Sequence, residues 1–450
     1  MQTMSGPSGD PPELTIEIHQ NPYLAVAETE VHAIAKVRAM GDASAIRGAP
    51  RPAAEVIIVD TSGSMLGARL VAAKRAARAA VDALRPGVDF AVIAGAADAA
   101  MVYPRDRLLA RFTETTRRDA HLAISRLSAG GGTRIGRWLS LAAELFAEDD
   151  HPIRHAVLLT DGKNEHETPE DLDAALDRCA GRFVCDSRGV GADWEPAELR
   201  RVSARLLGRF GMVADPGDLA ADFAEMIEQA MGKAVADVTL RVWTPHNATL
   251  RFFKQVYPAL RDLAGGWAET GSNAPGPKTA EFPTGIWGVE DREYHLCVTV
   301  PPGEPDQTML AARVSAVLPG EPPDRPRATG QVLATWTGDE ALSSLHDPSV
   351  VHYRKLEELA DASQRLLRSH EAGDARAAAV AHSRARRLAA ETGSEEISIR
   401  LDRFADPESG ILKPPGQVRR ADIVGLDTHS SESMRPPPEQ PSWREGGAEG

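Results

Sequence analysis

Val56-Ile57-Ile58-Val59-Asp60-Thr61-Ser62-Gly63-Ser64 is the stretch whose reading decides the fold. Four consecutive branched apolar residues show no alternation, so the strand they form buries both faces, as a central strand of a parallel sheet does. The run ends on an acid. Beyond it Asp60, Ser62 and Ser64 alternate, so an extended loop can turn three oxygens to one side.

Downstream, Leu70, Ala73, Ala77, Val81 and Leu84 recur at helical spacing, and short apolar segments at 90–94 and 99–103 read as strands. A helix is expected over 115–127, then a Gly130-Gly131-Gly132-Thr133 turn. The next helix carries Ile135, Leu139, Ala142 and Phe146. Val157-Leu158-Leu159 is a second buried strand, and it runs into Thr160-Asp161-Gly162. After Pro169, well placed for a helix first turn, Leu172, Ala175, Leu176 and Cys179 share a face. A strand near Phe183 and a helix bearing Leu219, Phe223, Met226 and Ala230 close the region. Strands alternating with helices over 53–232 define a doubly wound, Rossmann-like α/β domain.

In such a sheet the loops holding Asp60, Thr133 and Asp161 all lie at the carboxyl ends of strands, where these folds bind ligands. The glycines before Thr133 allow backbone angles that bring its hydroxyl inward. Carboxylate and hydroxyl oxygens, with room left for water, suit a small hard cation such as Mg2+, with Mn2+ as a substitute. Zinc would call for His or Cys, and calcium for more carboxylates. One or two carboxylates leave positive charge at an open position, which an Asp or Glu of a protein partner can neutralise.

The DTSGS loop from Asp60, the Thr of the GGGT turn and the Asp of LLTDG together resemble the metal-ion-dependent adhesion site of von Willebrand factor A domains. The resemblance covers roughly residues 53 to 232. It implies direct metal contacts for Asp60, Ser62, Ser64 and Thr133, and a contact through water for Asp161. More narrowly, Arg134-Ile135-Gly136, the run from Thr160 to Glu167, Arg241-Val242-Trp243-Thr244-Pro245 and a threonine in the tail resemble bacterial cytoplasmic members. That group is often found alongside serine/threonine kinases, phosphatases and phosphopeptide-binding modules.

Blander readings stand beside these. An isolated Asp-x-Ser-x-Ser can be a turn with a helix cap, but three such loops in the right order argue against it. Ser62 and Ser64 sit in no Gly-x-Ser-x-Gly elbow, and no Gly-x4-Gly-Lys-Ser/Thr phosphate loop occurs, so no catalytic reading is supported and the chain is not expected to be an enzyme. His166, between Glu165 and Glu167, reads as solvated charge rather than a ligand. Trp243, Trp287 and Trp336 read as core packing.

The flanks are of another kind. Alternating apolar residues at 13–40 read as two antiparallel strands joined near Asn21-Pro22, and 235–340 returns to strands and Pro- or Gly-rich turns. The simplest closed arrangement is one antiparallel β-sandwich with the α/β domain inserted in it. Residues 350–404 read as a helical hairpin turning at Glu371-Ala372-Gly373-Asp374; it is either one tetratricopeptide-type unit or a plain pair packed on the sandwich. The composition of 406–450 predicts a disordered tail, in which Thr428, with acidic neighbours, is a candidate phosphosite for a phosphothreonine-reading domain.

A chain of 450 residues needs two or three such units. Its net charge of −14 disfavours nucleic acid and anionic membranes. No apolar run has membrane-spanning length and no basic, then apolar, leader opens the sequence, so a cytoplasmic location is expected. Cys179, Cys185 and Cys297 are too scattered for a disulfide framework. The expected role is a metal-dependent scaffold or regulatory binding protein in a kinase or phosphopeptide setting. The alternative is an accessory subunit of an AAA+ ATPase or metal chelatase, which a co-purifying ATPase would reveal.

Overall fold

The structure is a computed structural model. It describes residues 13–41, 52–191, 193–213, 215–233, 235, 237–263, 278–322 and 325–436. Among these, the central α/β sheet contains β4 (Ala53–Asp60), β5 (Val88–Gly95), β6 (Ala99–Tyr103), β7 (Ala110–Arg111), β8 (Ile153–Thr160), β9 (Val184–Val190) and β10 (Phe210–Val213). The order is β10-β9-β8-β4-β5-β6, with β7 pairing β5. Neighbours from β10 to β5 run parallel, and β6 closes the edge antiparallel to β5.

Every residue of β4 is buried, as its unbroken apolar run requires. Ile57 and Val59 face one core with α1 (Ala68–Asp82), α2 (Glu114–Ser125) and the later α6 (Leu219–Met231). Val56 and Ile58 face the other, with α3 (Ile135–Ala147), α4 (Pro169–Cys179) and α5 (Pro196–Arg205). From β4 the chain passes through α1 to β5 on one side and returns to β8 on the other. The direction of winding therefore reverses between the carboxyl ends of β4 and β8, which is where a crevice opens in an open α/β sheet.

The flanking strands form two sheets. One runs β1 (Glu13–His19), β3 (Glu30–Met40), β15 (Asp291–Thr299), β12 (Thr249–Tyr257) and β13 (Arg261–Asp262). The other runs β14 (Lys278–Pro283), β11 (Thr239–Thr244), β16 (Thr308–Val317), β17 (Ala328–Thr337) and β2 (Tyr23–Ala25). Trp287, Trp336, Phe253 and Tyr294 fill the space between them. Strands from both sides of the α/β domain share each sheet, so that domain is an insertion. The expected pair of N-terminal strands is in fact three. Past Pro22 the chain crosses to the opposite sheet as β2, parallel to β17, before returning as β3.

After α7 (Glu340–Ser343), the hairpin of α8 (Pro348–Glu371) and α9 (Ala375–Thr392) lays Tyr353, Leu356 and Leu359 on Ile34 and Val256, outside the first sheet. It is thus a helical pair packed on the sandwich. The expectation of disorder from residue 406 fails for the described part. Beyond α10 (Glu395–Asp402), α11 (Arg420–His429) docks between α5 and α8. Val424 enters the α/β core, and Asp427 accepts from Arg200 and Gln364, each at 2.6 Å. The polar composition hid a few well-placed apolar residues. Residues 437–450 lie outside the described ones.

Candidate metal centre

Asp60 ends β4 and is fully buried. Its Oδ1 accepts the Ser62 amide at 2.7 Å and its Oδ2 the Thr160 hydroxyl at 2.5 Å. Burial pushes the Asp60 carboxyl up from its usual range, and these two bonds partly oppose it. Ser62 and Ser64 hydroxyls lie 3.0 Å apart, and Ser64 donates to Asp161 Oδ1 at 2.7 Å. Four of the five expected residues are thereby linked in one hydrogen-bonded group.

Thr133 arrives on the second loop. The Thr61 amide donates to Gly95 O at 2.7 Å, and the amides of Gly130 and Gly63 tie this loop to the first through Thr61 O at 2.8 Å and Gly131 O at 2.9 Å. Gly131 sits at φ +84°, a conformation that costs a side chain dearly. Gly162 locates the meeting point. A Cβ placed on it would lie 3.1 Å from Ser64 Oγ, 3.5 Å from Thr133 Oγ1 and 3.9 Å from Asp60 Oδ2. Only glycine leaves that small space open, and three of the expected oxygens border it. A donor set of two carboxylates and three hydroxyls around such a space fits a small hard cation.

Several participants were not anticipated. Arg69, from the first turn of α1, donates to Asp161 Oδ2 at 2.7 Å and also pairs with Asp193, so both Asp161 oxygens are engaged. Asn164 and Glu167 cap α3: the Ile135 amide donates to Asn164 Oδ1 at 2.9 Å and the Gly136 amide to Glu167 Oε2 at 2.8 Å. His166 is exposed but not merely solvated, because its Nδ1 accepts the Thr133 amide at 3.3 Å and its ring covers Gly132. The Asn-x-x-Glu spacing was visible; that it caps a helix some thirty residues earlier was not. Thr428 is 1% exposed within α11 and donates to Val424 O at 2.8 Å, away from the surface that phosphorylation requires.

A further buried charge group lies toward the opposite end of the sheet. His155 on β8 contacts Glu55 of β4 at 2.9 Å and Asp186 of β9 at 3.4 Å. Burial pulls the His155 pKa down, but the Glu55 charge and the bonds to Asp186 and Glu55 outweigh it and carry it up to about 10.

Comparison with known proteins agrees with this architecture. The family model for the von Willebrand factor type A domain matches residues 54–211. A solved structure described as von Willebrand factor type A from Catenulispora acidiphila is 40% identical, covers 96% of this chain and 99% of that one, and superposes with a TM-score of 0.87. The chain belongs to the von Willebrand factor type A family. The ArnB paralog VWA2 from Sulfolobus acidocaldarius shares the fold, at 15% identity and a TM-score of 0.58 over 94% of this chain and 98% of that one. An uncharacterized protein of Synechocystis sp. is 28% identical over 46% of this chain, which spans 49% of that protein's length. No helix among the described residues is long and apolar enough to cross a membrane.

Proposed function

We propose that this chain is a metal-dependent protein-binding scaffold or regulator that captures a carboxylate of a partner. Asp60, Ser62, Ser64, Thr133 and Asp161 would hold Mg2+ or Mn2+. The observation that carries the reading is the convergence of the Ser64, Thr133 and Asp60 oxygens on the space that Gly162 leaves open. A divalent cation bound there supplies an electrophilic anchor for one anionic oxygen.

The chain's own residues do the rest. Ser62, Thr160, Ser64 and Arg69 orient the two carboxylates, while Asn164, Glu167 and His166 steady the loop carrying Thr133. No reacting bond enters this reading, so the protein acts by binding and not by catalysis. A cytoplasmic setting among kinases and phosphopeptide-binding modules is part of the proposal, on the strength of the sequence resemblance. Thr428 would join such a circuit only after α11 leaves its site.

The test is affinity capture from native lysate with Mg2+ present, comparing wild type, chelator and Asp60→Ala. Partners lost in both controls support the reading. Partners that survive both contradict it.

A further inference from the structure

A second cluster of metal-ligating side chains lies on the outer face of the first sandwich sheet. His32 on β3 stands directly opposite Cys297 on β15, and Glu30 precedes His32 by two residues on the same face. His32 Nε2 is 3.8 Å from Cys297 Sγ and 4.0 Å from Glu30 Oε2. The three donor atoms all lie within 4.8 Å of one another. Tetrahedral zinc, with bonds of about 2.3 Å to sulfur and about 2.0–2.2 Å to nitrogen and oxygen, sets its ligands about 3.4–3.6 Å apart. On the two His32 sides a contraction of roughly 0.3–0.6 Å, and on the Glu30–Cys297 side of at most about 1.2 Å, therefore closes the site around such an ion. The half-exposed Glu30 side chain can supply most of it by moving together with its exposed partner Arg251.

The surrounding bonds aim the right atom inward. Glu357 on α8 takes Lys254 on one oxygen, at 3.1 Å, and faces His295 Nδ1 with the other, at 2.8 Å. A carboxylate so placed draws a ring proton of His295 to Nδ1. His295 Nε2 faces His32 Nδ1, 3.1 Å away. When His32 donates in that contact, its Nε2 lone pair is left bare toward Cys297 and Glu30. A carboxylate acting through a histidine ring is how proteins orient metal-binding imidazoles, here with one more ring interposed. Arg251 holds the other Glu30 oxygen at 2.7 Å, and Phe252 packs edge-on against His295.

We infer that Glu30, His32 and Cys297 form a second metal site, for a thiophilic divalent cation of the zinc class, chemically distinct from the all-oxygen centre at Asp60. Sulfur and imidazole donors select against Mg2+ and Ca2+. Three protein donors leave one tetrahedral position for water or an outside ligand. Metal uptake binds Cys297 as thiolate and expels its proton to solvent.

Cobalt(II) is the probe, added to the full chain after metal is stripped and its three thiols are kept reduced. One equivalent should raise a thiolate-to-cobalt charge-transfer band and the visible bands of tetrahedral cobalt, and Zn2+ should bleach both. Cys297→Ser should remove the charge-transfer band, while His32→Gln and Glu30→Gln should weaken cobalt binding. Asp60→Ala, which removes an oxygen from the other centre, should leave the spectrum unchanged. Glu357→Gln should weaken cobalt binding by about 10- to 100-fold with the band shape kept. Absence of the band in wild type overturns the site, and so does a band that persists in Cys297→Ser, since Cys179 or Cys185 would then be its source. Should Cys297→Ser fail to fold by circular dichroism, Glu30→Gln on the half-exposed rim decides: unchanged cobalt affinity overturns the site.

Discussion

Arg69 and Asp161 form an ion pair at 2.7 Å, in which a guanidinium from α1 neutralises a fully buried carboxylate at the heart of the candidate metal centre. Ser64 holds the other oxygen of the same carboxylate. The pair places a protein cation where a metal cation would also be attracted.

Arg69→Ala should therefore shift the balance between protein and ion. Without metal, a buried carboxylate loses a charged partner, at a cost of about 1 kcal/mol once solvent screening of the half-exposed guanidinium is allowed for. With Mn2+ the competing charge is gone. Melting curves in chelator and in Mn2+ should show a lower midpoint for the variant in chelator and a larger metal-induced rise. An unchanged rise would mean that Arg69 does not compete with the ion.

Gly162→Ala adds a single methyl among the Ser64, Thr133 and Asp60 oxygens, at the distances given above. Its backbone angle is not in the left-handed region, so the methyl itself is the main perturbation. Metal affinity should fall at least about tenfold, equivalent to 1.4 kcal/mol, with stability in chelator reduced by less than that. Calorimetric titration with Mn2+ checks this, and full affinity in the alanine variant would show that the ion does not sit in the space Gly162 leaves open.

His155 predicts a pH dependence. Its folded pKa, about 10, is raised above the ordinary 6.5, so its stabilising contribution is complete below pH 6.5 and is lost as pH rises through about 10. Urea denaturation should show wild type losing stability between pH 6.5 and 10. His155→Gln should be destabilised at pH 6.5 by about 3 kcal/mol, because two buried carboxylates lose their shared partner, and should show a flatter profile. Parallel profiles for the two proteins would remove His155 from the account.

Thr428→Asp places a charge in a buried helical position next to the Asp427 contacts with Arg200 and Gln364. Its cost should be about 3 kcal/mol or more, with α11 released from α5 and faster proteolysis after residue 419. Hydrogen exchange over 420–429 reads the outcome directly; unchanged protection would show that the helix tolerates a charge there.

The candidate metal residues were legible because each loop carries its own oxygens, and the loops of Asp60 and Asp161 each follow a strand whose unbroken apolar run marks it as central, while the GGG run marks the Thr133 turn between two helices. Asp60 announces itself one residue after Val59, and Asp161 two residues after Leu159. What escaped depends on contacts distant in sequence. Nothing near Arg69 names Asp161, and nothing in Asn164 or Glu167 names the amides of Ile135 and Gly136. Polar strands were obscured for the same reason: β9 buries Ser187 and largely encloses Asp186, which become acceptable there only through Ser203 and His155. The helix α11 was lost to composition, since Val424 and Leu426 are too few to mark a buried face without the surfaces they fill.

The most direct measurement of the central claim is Mn2+ binding to the metal-stripped full chain, wild type against Asp60→Ala, by calorimetry or by electron paramagnetic resonance of free Mn2+. One saturable Mn2+ site is expected in wild type, competed by Mg2+ and absent in Asp60→Ala, with both chains folded by circular dichroism. Equal Mn2+ binding by the two, or none by wild type, would contradict it.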